Sequence, residues 1–151
     1  MSDPGAIVKA YNVLEFWGKA QGVGAGDCAA YHPVAFHSLD VAACVKTILE
    51  QRPVTRARLA WLLGVRESTA VGLLVAITAL HDIGKFGIAF QAKRPDLWPS
   101  RLGSFKPAAK SPHTADGYLL WDQVLADDLI TRLWPDGADV LHALAPSIFG
   151  H

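Results

Sequence analysis

The sequence predicts an all-α fold, a compact bundle of about six to eight helices. Three observations carry that prediction. Apolar residues recur at helical spacing in almost every segment, as with Val41, Val45, Ile48 and Leu49. There is no internal repeat, no low-complexity segment and no hairpin signal. The chain has 151 residues, 51% hydrophobic and 19% charged, which is enough to close one core without staples.

Asp3-Pro4 reads as a helix entry, with Asp3 as N-cap and Pro4 in the first turn. A short helix over 6–17 would place Ile7, Tyr11, Leu14 and Trp17 on one stripe. Gly18 to Ala30 is rich in Gly and Ala and reads as a loop. The run from Ser38 to Gln51 predicts a helix that Pro53 stops, with His37 in its first part. Thr55 can cap a helix ending at Gly64. Ser68 to Leu80 is apolar nearly all round, and its length and alanines favour a buried central helix. It leads into His81-Asp82-Ile83-Gly84-Lys85, where Gly84 suits a turn, and then a short helix over 86–93. Residues 95–112 read as a long surface loop of the kind that is usually functional. A helix from His113 to about Val124 follows, then another begun by Asp127 or Asp128, a Pro135-Asp136-Gly137 turn, and a last helix over 138–148 interrupted by Pro146.

Charge excludes one class of function. Lys+Arg and Asp+Glu are 14 each, so the chain is no strongly basic nucleic-acid wrap, although a local patch is compatible with neutrality. Two cysteines, Cys28 and Cys44, make no disulfide framework and point to a reducing, cytoplasmic setting. The N-terminus lacks a signal-peptide pattern. Charges or prolines are expected to interrupt each apolar run before it spans a bilayer. The apolar content hints at surface that a partner covers. The abrupt end on Phe149-Gly150-His151 suggests a domain, 1–151, cut inside a larger protein.

The chemistry concentrates at His81-Asp82. Adjacent residues on a helix point about 100° apart, so both reach one ion only near a helix end or kink. Gly84 supplies such an end. An imidazole nitrogen with a carboxylate suits Mn, Fe, Co, Ni or Zn better than Mg alone, and two carboxylate oxygens allow Asp82 to bridge two ions. The pattern H…HD-x-GK…H places each histidine at the start or end of a predicted helix.

These residues resemble a known family. The stretches carrying the likeness are His37-Ser38-Leu39-Asp40-Val41-Ala42, His81-Asp82-Ile83-Gly84-Lys85-Phe86 and Ala89-Phe90-Gln91. Further matches are Phe16-Trp17-Gly18-Lys19, Tyr31-His32-Pro33, Ser111-Pro112-His113 with Gly117-Tyr118-Leu119-Leu120, and the terminal Ile148-Phe149-Gly150-His151. They are similar to the HD nuclease domain of the CRISPR-associated type I nuclease-helicase. The resemblance implies an HD-domain bundle that cuts single-stranded DNA with one or two divalent ions (Mn, Fe, Co, Ni or Mg). It implies that His37, His81 and Asp82 hold the first ion, and that Asp82, His113 and His151 hold a second. Lys85 would contact a phosphate or hold Asp82. The family adds a second histidine after the position of His151 and an aspartate further on, neither of which falls within these residues. Implied partners are a helicase, fused or separate, and a guide-RNA surveillance complex.

Two rival readings use the same residues. A bare HD pair also serves phosphohydrolases of nucleotides or cyclic dinucleotides, and the chain could instead be an inactive HD fragment that docks a partner. Around the centre, Asp40 either orients the His37 ring or is a solvated side chain, and His32 is expected to bond backbone or solvent. His142 reads as a satisfied or partly exposed histidine and Cys44 as a small packed hydrophobe. Trp61, Trp121 and Trp134 read as core or helicase-facing surface. Lys93-Arg94, Arg101, Lys106 and Lys110, with Trp98 or Phe105, form either an ordinary solvated loop or a path for single-stranded DNA.

Overall fold

Proline and glycine set the breaks between the first helices. In the computed structural model, which describes residues 12–20, 31–109, 111–134 and 137–149, α1 spans Val34–Gln51 and starts directly after Pro33. It stops because Pro53 disfavours helical backbone at Arg52, which sits at φ −121°, ψ 70°. Pro53 then opens α2, Pro53–Leu63, so the expected Thr55 cap lies inside the first turn instead. Gly64 ends α2 in the left-handed region at φ 66°, where a side chain would be strained. Glu67 opens α3, Glu67–Ala79, and accepts a 2.6 Å hydrogen bond from Arg56 that ties α2 to α3.

α3 packs against α1 and α2 through a stripe of Ala70, Leu73 and Ile77, at helical spacing. Residues Glu67–Phe86 reach the length and mean hydropathy of a membrane span, against the expectation that every apolar run would be interrupted. The α-helix ends at Ala79, however, and the last residues of that stretch leave it to deliver His81 and Asp82 to a site. Within the best apolar window 28% of the residues are buried, so α3 is partly covered by its neighbours rather than wholly enclosed.

After a 3-10 turn, Ile83–Phe86, come α4, Ile88–Gln91, and an irregular stretch with two further 3-10 turns. α5, His113–Leu120, begins at Pro112-His113 and packs on the Ile83–Phe86 turn. It does not stop where a break was expected near Val124. A π-helical turn, Trp121–Leu125, carries it without interruption into α6, Ala126–Leu133. The wider turn places Trp121 and Ala126 in one core with Ile77, Leu141, Ala145 and Phe149. The last three belong to α7, Ala138–Phe149, which holds Pro146 within it.

The N-terminal region corrects the sequence reading. Trp17 to Ala20 form strand β1, antiparallel to β2, Tyr31–Pro33, with Lys19 opposite His32 and Ala20 opposite Tyr31. Trp17 is therefore not on a helical stripe, and Leu14 lies in a 3-10 turn, Val13–Glu15. Two strands this short carry no readable alternation, which is why no hairpin signal was present. The rest of the expected helix over 6–17, the Asp3-Pro4 entry and most of the Gly18–Ala30 loop lie outside the described residues.

Candidate metal centre

Three separate parts of the chain meet on Asp82. His37 comes from the first turn of α1, His81 and Asp82 from the end of α3, and His113 from the first residue of α5. The Asp82 carboxylate is 1% exposed, at the bottom of a shallow site whose histidines are partly exposed. His37 Nε2 lies 3.1 Å and His81 Nε2 3.3 Å from Asp82 Oδ2. His113 Nε2 lies 3.4 Å from the other oxygen, Oδ1. The Lys85 ammonium donates a hydrogen bond to Oδ2. One ligand atom from each of His37, His81 and Asp82 falls within 4.8 Å of the others, a set able to hold a metal ion.

The turn after α3 explains how adjacent residues converge. Leu80 ends the helix, and Asp82 has left it at φ −106°, ψ 18°. The 100° divergence of neighbouring helical side chains is thereby relaxed. His81 Nδ1–H donates to the Thr78 carbonyl at 2.8 Å. A carbonyl only accepts, so this bond puts a proton on Nδ1 and turns Nε2, the nitrogen available to a metal, toward Asp82.

Electrostatics prepare the same set for a cation. Burial pushes the Asp82 carboxyl up, but the Lys85 hydrogen bond and charge, helped by His81 and His113, outweigh it and hold Asp82 below the usual carboxylate range. Burial and then the Lys85 ammonium lower the His37 imidazole below its ordinary value, so His37 is neutral at neutral pH. Metal ligands need those two states, an ionised carboxylate and a neutral imidazole. Nitrogen and oxygen donors together fit a first-row divalent ion.

The fold thus brings together His37, His81, Asp82, Lys85 and His113 of the expected residues; His151 lies outside the described ones. These findings accompany three comparisons. A family model described as "Cas3, HD domain" matches residues 17–151. The chain belongs to the Cas3 HD-domain family. The CRISPR-associated endonuclease/helicase Cas3 of Thermus thermophilus is 40% identical over 63 residues, 41% of this chain and 7% of that protein. A solved structure of a CRISPR-associated protein superposes with a TM-score of 0.72 and 27% identity, over 93% of this chain and 15% of that one. The Cas3 HD chain therefore spans a small part of the length of both relatives. Its helical bundle is the HD-domain fold that the resemblance implied.

Of the other residues singled out in the sequence, Cys44 departs from expectation, and open alternatives for several more are resolved. Asp40 does not reach His37; its Oδ2 pairs with His32 Nε2 at 2.9 Å, on the exposed side of α1. His32, 41% exposed, thus pairs with a surface carboxylate. Cys44 is exposed, not packed, because it lies away from the Ala42–Leu49 side of α1. Trp121 is buried and Trp134 packs against the core, but Trp61 is 78% exposed on α2. In the long loop, Arg94 is forked onto Asp96, and Trp98 bonds the Gly103 carbonyl while its ring meets Phe105 edge-on. His142 is exposed on α7, with its ring 6.5 Å from that of Trp121.

Two contributors had no assigned role in the sequence reading. Phe90 packs on the His113 ring at 5.5 Å and on Trp17 at 4.4 Å, with the Lys93 ammonium 4.6 Å from its centroid. Gln91, fully buried beside it, bonds both β1 and the Lys85 backbone. A glutamine in an otherwise apolar four-residue helix was the available signal.

Proposed function

We propose that this Cas3 HD domain is a metal-dependent phosphodiesterase that cuts single-stranded DNA in type I CRISPR interference. The observation that carries the reading is the convergence of His37, His81 and His113 on the two oxygens of one buried, ionised aspartate. His37, His81 and Asp82 would hold the first ion; Asp82 Oδ1 and His113 would contribute to a second, with His151 as a further proposed ligand. Divalent ions held there would polarise a scissile phosphate, lower the pKa of a water that becomes the nucleophile, and neutralise charge on the leaving 3′ oxygen.

The chain's own residues do the rest. Thr78 holds the His81 tautomer through its carbonyl. Lys85 keeps Asp82 ionised and adds positive potential where a phosphate would approach. Phe90 backs the His113 ring, and exposed Lys93 above Phe90 offers a further cation to a DNA backbone. Local charge of this kind needs no net basic surface, in keeping with the balance of 14 basic and 14 acidic residues.

Single-stranded DNA is the substrate that fits a relative named as an endonuclease/helicase, because strand separation produces it. A helicase, fused or separate, and a guide-RNA surveillance complex are the partners that reading entails, with the cytoplasm as the place of action. The test is incubation of the chain with circular single-stranded DNA and added Mn, Ni or Co. Progressive loss of the circle, blocked by chelator and absent in His81→Ala, is expected. Hydrolysis of nucleotides or cyclic dinucleotides with the DNA left intact would overturn the nuclease reading.

A further inference from the structure

Gln91 has no exposed surface, yet it is polar, and every hydrogen-bonding atom of its amide is directed at backbone. Its Nε2 donates to the Trp17 carbonyl at 3.0 Å and to the Lys85 carbonyl at 2.6 Å. Its Oε1 accepts from the Trp17 N–H at 3.3 Å, and its own carbonyl accepts from the Trp17 indole Nε1 at 3.3 Å. The side chain therefore joins strand β1 to the 3-10 turn that carries Lys85. Backbone bonds also tie that turn at both ends, Ile83 N–H to the Leu80 carbonyl at 3.0 Å, Lys85 N–H to the Asp82 carbonyl at 2.9 Å and Gly87 N–H to the Gly84 carbonyl at 3.0 Å.

The preceding residue works on the same neighbours from the other side. The Phe90 ring lies 5.7 Å from the Lys85 ammonium and meets the His113 ring edge-on. The same ring lies 4.4 Å from that of Trp17, the residue whose backbone and indole Gln91 bonds. Thus α4, only four residues long, bonds the Lys85 carbonyl through Gln91 and places Phe90 near the Lys85 ammonium and the His113 ring.

We propose that Gln91 is a positioning residue of the metal centre, which fixes the Lys85 turn and the Phe90–Trp17 stack so that Lys85 and His113 stay on Asp82. The inference rests on the metal-centre reading above. Gln91 acts through Lys85 and Phe90, which touch Asp82 and His113, and groups that orient metal ligands typically set metal affinity within a factor of about 10–100.

The test titrates the 151-residue chain with Mn²⁺ alone and records the visible absorption spectrum of the Co²⁺-loaded chain. Gln91→Met keeps the volume and removes the amide; Gln91→Glu keeps one oxygen for the Trp17 N–H and loses the donor. Leu49→Ala, at the far end of α1 from His37, is the control for general destabilisation. Along the helix, those 12 residues correspond to about 18 Å. Both Gln91 variants are expected to weaken Mn²⁺ binding at least about tenfold and to change the Co²⁺ spectrum, whereas Leu49→Ala lowers the melting temperature and changes neither. In a Lys85→Met background, Gln91→Met should add little further loss. Metal binding unchanged in folded Gln91 variants, or weakened no more than in Leu49→Ala, overturns the proposal. So does failure of both Gln91 variants to fold at saturating Mn²⁺, which assigns the glutamine to the fold alone. Absence of Mn²⁺ and Co²⁺ binding by the unsubstituted chain would overturn the metal-centre reading itself, and this inference with it.

Discussion

Gly84 lies against the first turn of α5 so closely that a Cβ on it would sit 1.8 Å from the His113 carbonyl oxygen. It would also lie 2.5 Å from the Gly117 nitrogen, so the obstruction is backbone and cannot swing aside. This contact sets how near His113 comes to Asp82. Gly84→Ala must push α5 outward, at a cost toward the upper end of the roughly 1–3 kcal/mol typical of overpacking, or beyond it. Urea unfolding should show a lower midpoint, and Mn²⁺ affinity should fall in the fraction that remains folded. An unchanged midpoint would contradict the packing described here.

The ligand residues should differ in their effects. His81→Ala and Asp82→Ala remove groups from the three-residue cluster and are expected to abolish metal-dependent cleavage, with the helical circular-dichroism signal retained. His113 faces Asp82 Oδ1 and lies outside that cluster, so His113→Ala should leave first-ion binding measurable while cleavage falls. Cleavage surviving in both His81→Ala and Asp82→Ala would refute the site assignment. Calorimetric titration with Mn²⁺ separates the two groups of variants.

Acid should destabilise the metal-free chain in two stages. Both His37 and Asp82 have lowered folded-state pKa values, so the native state binds fewer protons than the unfolded state. Their contributions are present at high pH and are lost as pH falls. The His37 loss begins below its ordinary value of 6.5 and the Asp82 loss below 3.8. In the presence of chelator, the urea midpoint should decline from pH 7.5 to pH 5, and His37→Asn should flatten that decline. A slope identical in the variant would remove His37 as its source.

Asp40 pairs with His32 on the surface, and exposed pairs of this type contribute about 0–1 kcal/mol. Asp40→Asn should therefore shift the melting temperature little and leave Mn²⁺ affinity unchanged. A tenfold loss of affinity would restore the alternative in which Asp40 orients the His37 ring.

Much of this was readable from spacing and residue type. The helices over 34–51, 53–63 and 67–79 are bounded by Pro33, Pro53 and Gly64, whose backbone restrictions act locally. The His81-Asp82 pair was legible because it joins a nitrogen ligand to a carboxylate before a helix-ending glycine, whereas His37, Lys85 and His113 came from the family resemblance. The short β1–β2 pair was not, since its stability comes from Gln91 and Phe90 far along the chain rather than from its own alternation. The continuous passage from α5 to α6 was also hidden. A π turn is favoured by what Trp121 packs against, and the sequence near Asp127 contains an equally good helix start.

Alone, then, the order of residues determined the helical class, the main breaks and the identity of the groups that can bind a metal. Only the tertiary structure decided which oxygen of Asp82 each histidine faces, that Asp40 belongs to His32, and that Gln91 clamps the Lys85 turn. Local rules act over a few residues, whereas His37 and His113 lie far from Asp82 in the chain and Gln91 lies 74 residues from Trp17, and packing alone brings such segments within hydrogen-bonding distance.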